Sequence, residues 1–273
     1  MKRAIPALFV HLALVIGAIL TLTPLLWMVS ASFMPAGEAN TFPPRLLPSV
    51  ATPEHYLALF TRLNLARTLM NSTIVAVGAT AISVLVNGLA GYAFAKLQFG
   101  ARDRLFRILL AALVIPGQVG MLPLFLMLQK MGLVNTLWGV MIPGLASIFG
   151  IFMVRQYATS IPDELLDAAR VDGASEFRIY WTIVMPLLRP ILVTLAAFTF
   201  LSMWNDFMWP LIVLSDERKY TLPVALANLV GEHVQDTELM MAGSMLTVLP
   251  VLVVFLVLQR WYLRGVMMGA VKG

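Results

Sequence analysis

Polar positions in this chain come in short clusters between long apolar runs, and they do not recur at the spacing of a half-buried soluble helix or strand. No charged residue occurs between Ala4 and Gly37. A helix crosses a hydrocarbon core about 30 Å thick with about 20 mostly apolar residues. Six segments meet that requirement: roughly Ala7–Ser32, Thr68–Ala95, Leu105–Leu128, Leu137–Tyr157, Leu187–Leu214 and Met240–Tyr262. The expected fold class is an all-α integral membrane protein with six transmembrane helices. Pro116, Gly117, Gly120 and Pro123 mark the third span as kinked or broken, and Asp206 interrupts the fifth.

Composition strengthens this reading. Of 273 residues, 60% are hydrophobic and 12% charged, whereas soluble domains carry about 25% charged residues. The net charge of +5 is what basic membrane edges produce. No Lys/Arg cluster interleaves with aromatics, so nucleic acid is not an expected partner. The absence of cysteine excludes disulfides and thiolate metal sites. Lys2 and Arg3 precede an apolar run longer than a cleavable signal, so an uncleaved first span is expected. With the N-terminus in the cytoplasm, 13 of the 19 Lys and Arg residues fall on that side and 6 on the other. Both termini are therefore expected to be cytoplasmic.

One polar segment is too elaborate for a simple connection. Between the fourth and fifth spans runs DELLDAARVDGASEFRIYWTIVMPLLRP, from Asp163 to Pro190. Ser160-Ile161-Pro162-Asp163 reads as a helix start with a Ser cap, and Asp172-Gly173 as its stop. A second short helix is expected from Ser175 to about Met185, before Pro186 and Pro190 turn the chain. Leu165, Leu166, Ala168 and Ala169 would form a low knob, and Glu164, Asp167 and Asp172 an acidic rim. The residues alone fit a docking surface for a soluble partner or a solvated loop with incidental helicity.

Asp167-Ala168-Ala169, Gly173, Tyr180-Trp181 and Ile183-Val184-Met185-Pro186 resemble the EAA loop of ABC-importer permeases, with Asp for the usual Glu and Met for the usual Leu. The stretches from Asn71, from Trp204 and from Gln259 are similar to the first core helix, the fifth span and the tail of the maltose and glycerol-phosphate branch. The resemblance implies a type I importer permease fold (MetI-like) with a cytoplasmic coupling helix in a bacterial inner membrane. Glu164, Leu165, Asp167, Ala168, Ala169, Asp172, Gly173 and Pro186 would then couple to an ATPase. It further implies a second homologous permease, two cytoplasmic ABC ATPase subunits, an extracytoplasmic solute-binding protein and a carbohydrate substrate. The chain lacks a G-x-x-x-x-G-K-[ST] loop, so ATP and Mg are expected on the ATPase and no cofactor here. The implied organisation is a first helix and outer loop over 1–67, a core over 68–262 with its coupling loop at 158–190, and a tail over 263–273.

Along the path, Trp204, Asn205 and Asp206 are candidates for a polar station with sugar-stacking tryptophans, or for an interhelical hydrogen bond beside aromatic anchors. Thr80, Ser83, Asn87 and Gly91 form one stripe on the second span, which either packs helices closely or lines the route; Asn87 is its path candidate. His11 has no partner ligand at helical spacing. A self-sufficient secondary carrier or channel would need more intramembrane charge than Asp206, and a membrane enzyme more than three dispersed histidines.

Overall fold

The computed structural model describes residues 4–62, 64–232 and 236–270. Lys2, Arg3 and Lys272 of the charge asymmetry lie outside the described residues, as do the side chains of Arg62, Arg260 and Arg264. Among the described residues the ordered elements are all helical. Four helices are long and apolar enough to cross a membrane, and six spans result if each of two bent pairs counts as one. Contacts divide the chain into two units, residues 1–66 with 225–250 and residues 67–224 with 251–273.

The first unit holds α1 (Ala4–Ala31), α2 (Glu54–Arg62) and the start of α13 (Thr237–Ala270). The most apolar window of α1 is entirely unburied, as expected of a helix whose solvent is lipid. Its small core gathers Ala31, Met34 and Ala39 against Trp27 and Met241. Polar tethers hold the loop after α1: the Trp27 indole donates to the Arg45 carbonyl (3.1 Å) and the Ser30 hydroxyl to the Leu46 carbonyl (2.6 Å). Glu38 accepts from Arg45 Nη1 (2.8 Å) and the Ser49 hydroxyl (3.1 Å). The Glu238 carboxylate accepts from the Ala39 N–H (2.7 Å).

The second unit is built on α3 (Leu65–Lys96), 32 residues long and hence about 48 Å at about 1.5 Å per residue. The third span is broken, as Pro116, Gly117 and Gly120 led us to expect. It consists of α4 (Arg102–Ala112) and, after a turn through those residues, α5 (Met121–Lys130), the two arms bent by 98°. The fourth span also breaks. α6 (Leu137–Met141) tightens into a 3-10 turn over Ile142–Gly144, and α7 (Ile148–Ala158) follows at 42° under a Ser147 cap.

Next come α8 (Asp163–Val171) and α9 (Glu176–Ile179), capped by the Ser175 hydroxyl. Here the structure corrects the expected turn at Pro186 and Pro190. A wide turn over Tyr180–Val184, with the Met185 N–H on the Tyr180 carbonyl, runs straight on into α10 (Met185–Trp204). A proline ring clashes with the carbonyl four residues back, and for Pro186 that carbonyl lies inside the wide turn, where the ladder is already opened. The fifth span is interrupted around Asp206, as expected. α10 stops at Trp204, Asn205–Phe207 are not helical, and α11 (Met208–Val213) resumes. α12 (Leu222–Glu232) begins in this unit and belongs from Ala225 onward to the first.

Among the described residues, two apolar clusters hold this unit. One packs Leu166 and Ile179 against Tyr92, Val154, Tyr180 and Leu188. The other joins Val75 and Ala79 of α3 to Leu128, Met141, Trp209 and Val213. Gly91 lets α3 and α7 meet: a Cβ there would lie 2.6 Å from Val154 Cβ. This is close packing through a small residue.

Candidate functional site

The polar segment between the fourth and fifth spans has an inner and an outer side. Pro162 occupies the N-cap of α8 without a side-chain cap bond. The expected Ser160 cap is not made, because that hydroxyl donates to the Tyr157 carbonyl instead (2.7 Å). Asp163 and Glu164 lie in the first turn and Arg170 in the last, each favourable to the helix dipole. Leu166 is 1% exposed in the core, so it is not part of the expected knob. Ala169 is half-buried, while Glu164, Leu165, Asp167, Ala168, Asp172 and Gly173 are exposed. Val171 (88% exposed), Phe177 (69%) and Trp181 (37%) extend the outer face as an apolar surface.

The helix ends in a geometry that requires glycine. Gly173 has φ +80°, its N–H bonds the Arg170 carbonyl and the Ala174 N–H reaches the Ala169 carbonyl, both at 3.0 Å. This pair of bonds is the Schellman stop. Space around Gly173 is open, so backbone conformation, not crowding, selects the residue.

Charge pairs hold the inner side. Lys96 Nζ donates to the Ile161 carbonyl (2.5 Å) and to Asp163 Oδ1 (2.6 Å), and this ammonium keeps the Asp163 carboxyl below the usual carboxylate range. Arg170 donates to Glu176 Oε1 and Asp167 Oδ1, both at 2.7 Å. The bond to Glu176 is the main reason the guanidinium is held even more firmly protonated than usual. Glu176 Oε2 accepts from the Tyr92 hydroxyl (2.7 Å). Pro186 is half-buried just past the wide turn.

The intramembrane candidates are committed to local structure. Asn87 is fully buried; its Nδ2 donates to Ser83 (2.7 Å) and to the Leu145 carbonyl (3.3 Å), and its Oδ1 accepts from the Ser147 N–H (2.9 Å). It thereby ties α3 to the break in the fourth span. Trp204 is buried and stacks on Phe200. Asn205 Nδ2 donates to the Leu201 carbonyl (2.8 Å), and Asp206 accepts from the Trp209 N–H (3.3 Å). The buried Trp209 indole donates to the Gly139 carbonyl (3.1 Å). His11 takes part in an interaction within the chain.

Beside the same break lies a pocket of about 390 Å³, lined by Pro143, Gly144, Ser147, Phe149, Leu195, Phe198, Thr199, Ser202 and Met203. Phe149 and Phe198 meet edge to face, with centroids 6.3 Å apart. Thr199 is only 8% exposed. Sequence reasoning missed this site. The i, i+3 hydroxyls of Thr199 and Ser202 were visible, but nothing local reveals that Phe149 and Ser147 face them from another span.

Residues 87–268 match the family described as binding-protein-dependent transport system inner membrane component. The chain belongs to that family. Its permeases are multi-pass transport proteins and not enzymes. The chain is 36% identical to the arabinooligosaccharide transport permease AraQ of Halalkalibacterium halodurans over 94% of this chain and 93% of that one. It is 32% identical to the lactose permease LacG of Rhizobium radiobacter over 100% and 98%. It is 30% identical to the sn-glycerol-3-phosphate permease UgpE of Yersinia pestis over 94% and 95%. The solved structure of a bacterial ABC transporter involved in alginate import matches with a TM-score of 0.83 at 24% identity, covering 96% of this permease and 98% of that chain. The last likeness confirms the type I importer permease fold.

Proposed function

We propose that this permease is one of two membrane subunits of an ATP-driven importer for sugars. In this reading α8 is the coupling helix. Its inner side is anchored by Leu166 and Lys96, and its outer face of Glu164, Leu165, Ala168 and Gly173 meets a groove on a cytoplasmic ATPase subunit. Two such subunits bind and hydrolyse ATP with Mg, a second permease completes the path, and a solute-binding protein delivers the substrate outside. Both termini then lie in the cytoplasm of a bacterial cell.

The observation that carries the reading is the sidedness of the 163–181 segment. A solvated loop has no reason to be held on one side by a buried leucine and by the bonds of Lys96 to Asp163 and Tyr92 to Glu176 while leaving Val171 and Phe177 bare. Such bonds are roughly twice as strong as neutral ones, and an exposed apolar face set on a rigid mount signals a protein partner.

Carbohydrate as substrate is supported by the relatives' names, which include arabinooligosaccharides and lactose, and by the pocket. Hydroxyl groups with aromatic edges and no charged lining residue suit a neutral polyhydroxylated molecule better than a phosphate ester.

The test is Ala168→Glu in the whole importer. Residue 168 is exposed and helical, so the variant should insert and accumulate normally. Uptake should fall by about a hundredfold or more, the scale of losing a closely packed interface contact. Normal uptake would overturn the assignment.

A further inference from the structure

We infer that α3, through Tyr92 and Lys96, is the element that carries motion of the coupling helix to the substrate pocket. This rests on reading α8 as the coupling helix. Tyr92 and Lys96 are four residues apart and share one face of α3. Lys96, its side chain only 6% exposed, grips the N-terminal end of α8 through the Ile161 carbonyl and Asp163. Tyr92, 3% exposed, grips the other end through Glu176 and thereby Arg170.

Two points of attachment fix the direction of a short helix, whereas a single hinge leaves it free to swing. The covalent connections of α8, Thr159–Pro162 and Asp172–Ala174, are turns, and Leu166 seats the helix in the core between them. The α3 grips add direct polar links from both ends of the segment to one long helix.

The same helix holds the pocket's edge. Asn87 binds Leu145 and Ser147 at the break of the fourth span, and Gly91 seats α7 against α3. Ser147 itself lines the pocket. From Asn87 to Lys96 is nine residues of unbroken helix, about 13 Å. A displacement of α8 is thus transmitted along one rigid element to the broken span that shapes the pocket. Tyr92 and Lys96 are positioning residues and need not touch the substrate.

The experiment uses the complete importer, with its second permease, ATPases and binding protein, reconstituted in proteoliposomes with the sugar that the binding protein takes. Substrate moved per ATP hydrolysed is measured for Tyr92→Phe, Lys96→Met, the double variant and Lys96→Arg. Tyr92→Phe loses one hydroxyl and keeps its ring against Tyr180, whose centroid is 5.5 Å away. The ratio should drop about threefold in each single variant and about tenfold in the double, the range over which residues along a coupling network modulate it. Lys96→Arg, which keeps the charge, should restore it.

A purely structural role would lower the amount of assembled importer and leave the ratio unchanged. A wild-type ratio in the double variant overturns the inference. If the double variant does not assemble, wild-type ratios in both single variants do the same. The two readings separate cleanly. Normal uptake by Ala168→Glu removes the coupling helix itself, whereas an inactive Ala168→Glu beside a wild-type ratio in the Tyr92 and Lys96 variants removes only the α3 grip.

Discussion

At the start of the helix run that leads into α10, Glu176 takes one bond from Arg170 and another from Tyr92, 84 positions back. At the far end of α10, Asn205 and Asp206 bond within a helical turn of themselves, to Leu201 and Trp209. Both clusters stand out equally as polar interruptions of an apolar chain. The first leaves a face of the segment unoccupied, and in the second one bond from each side chain serves to end one helix or start the next. Thr199 and Ser202 line the pocket and Asp206 does not, so the two hydroxyls are better placed than Asp206 to meet a substrate.

This contrast can be broken by mutation. Thr199→Val with Ser202→Ala keeps side-chain volume nearly constant and removes both hydroxyls from the pocket. The KM for uptake should rise about tenfold, since a site built to bond substrate hydroxyls loses that much and more when they go unpaired. ATP hydrolysis without substrate should not change. An unaltered KM would move the substrate contacts elsewhere.

A smaller effect is expected from Trp209→Phe, which leaves the buried Gly139 carbonyl without its donor. Thermal unfolding should report a loss of about 1–2 kcal/mol, the cost of one buried unsatisfied group, at unchanged KM. Smallest of all is Asp206→Asn. The amide oxygen still accepts from the Trp209 N–H, so uptake kinetics should match the parent. A raised KM in that variant would restore Asp206 to the path and erase the contrast between the two ends of α10.

Much of this was legible in the sequence, because lipid imposes one simple rule on apolar length. The spans at α1, α3 and α13 followed from it, and Pro116 with its glycines announced the break in the third. The stop at Gly173 was readable because a left-handed residue follows a helical run. What stayed hidden depends on tertiary geometry. Pro186 looked like a corner, yet the wide turn before it absorbs the proline and the helix continues. Leu166 and Leu165 are indistinguishable in sequence, and only packing against Tyr92 and Ile179 turns one inward. The pocket could not be read at all, because its two walls are some 50 residues apart in the chain and neither is polar enough alone to stand out.

The account depends on the outer face of 163–181 meeting a soluble partner inside the cell. The chain contains no cysteine, so Val171→Cys, at the most exposed apolar position of that face, provides a single reporter. It is to be labelled with a membrane-impermeant maleimide in inside-out and right-side-out vesicles, with and without the ATPase subunits. The prediction is labelling from the cytoplasmic side only, suppressed when the ATPases are bound. Labelling from the outer side, or labelling indifferent to the ATPases, would contradict it.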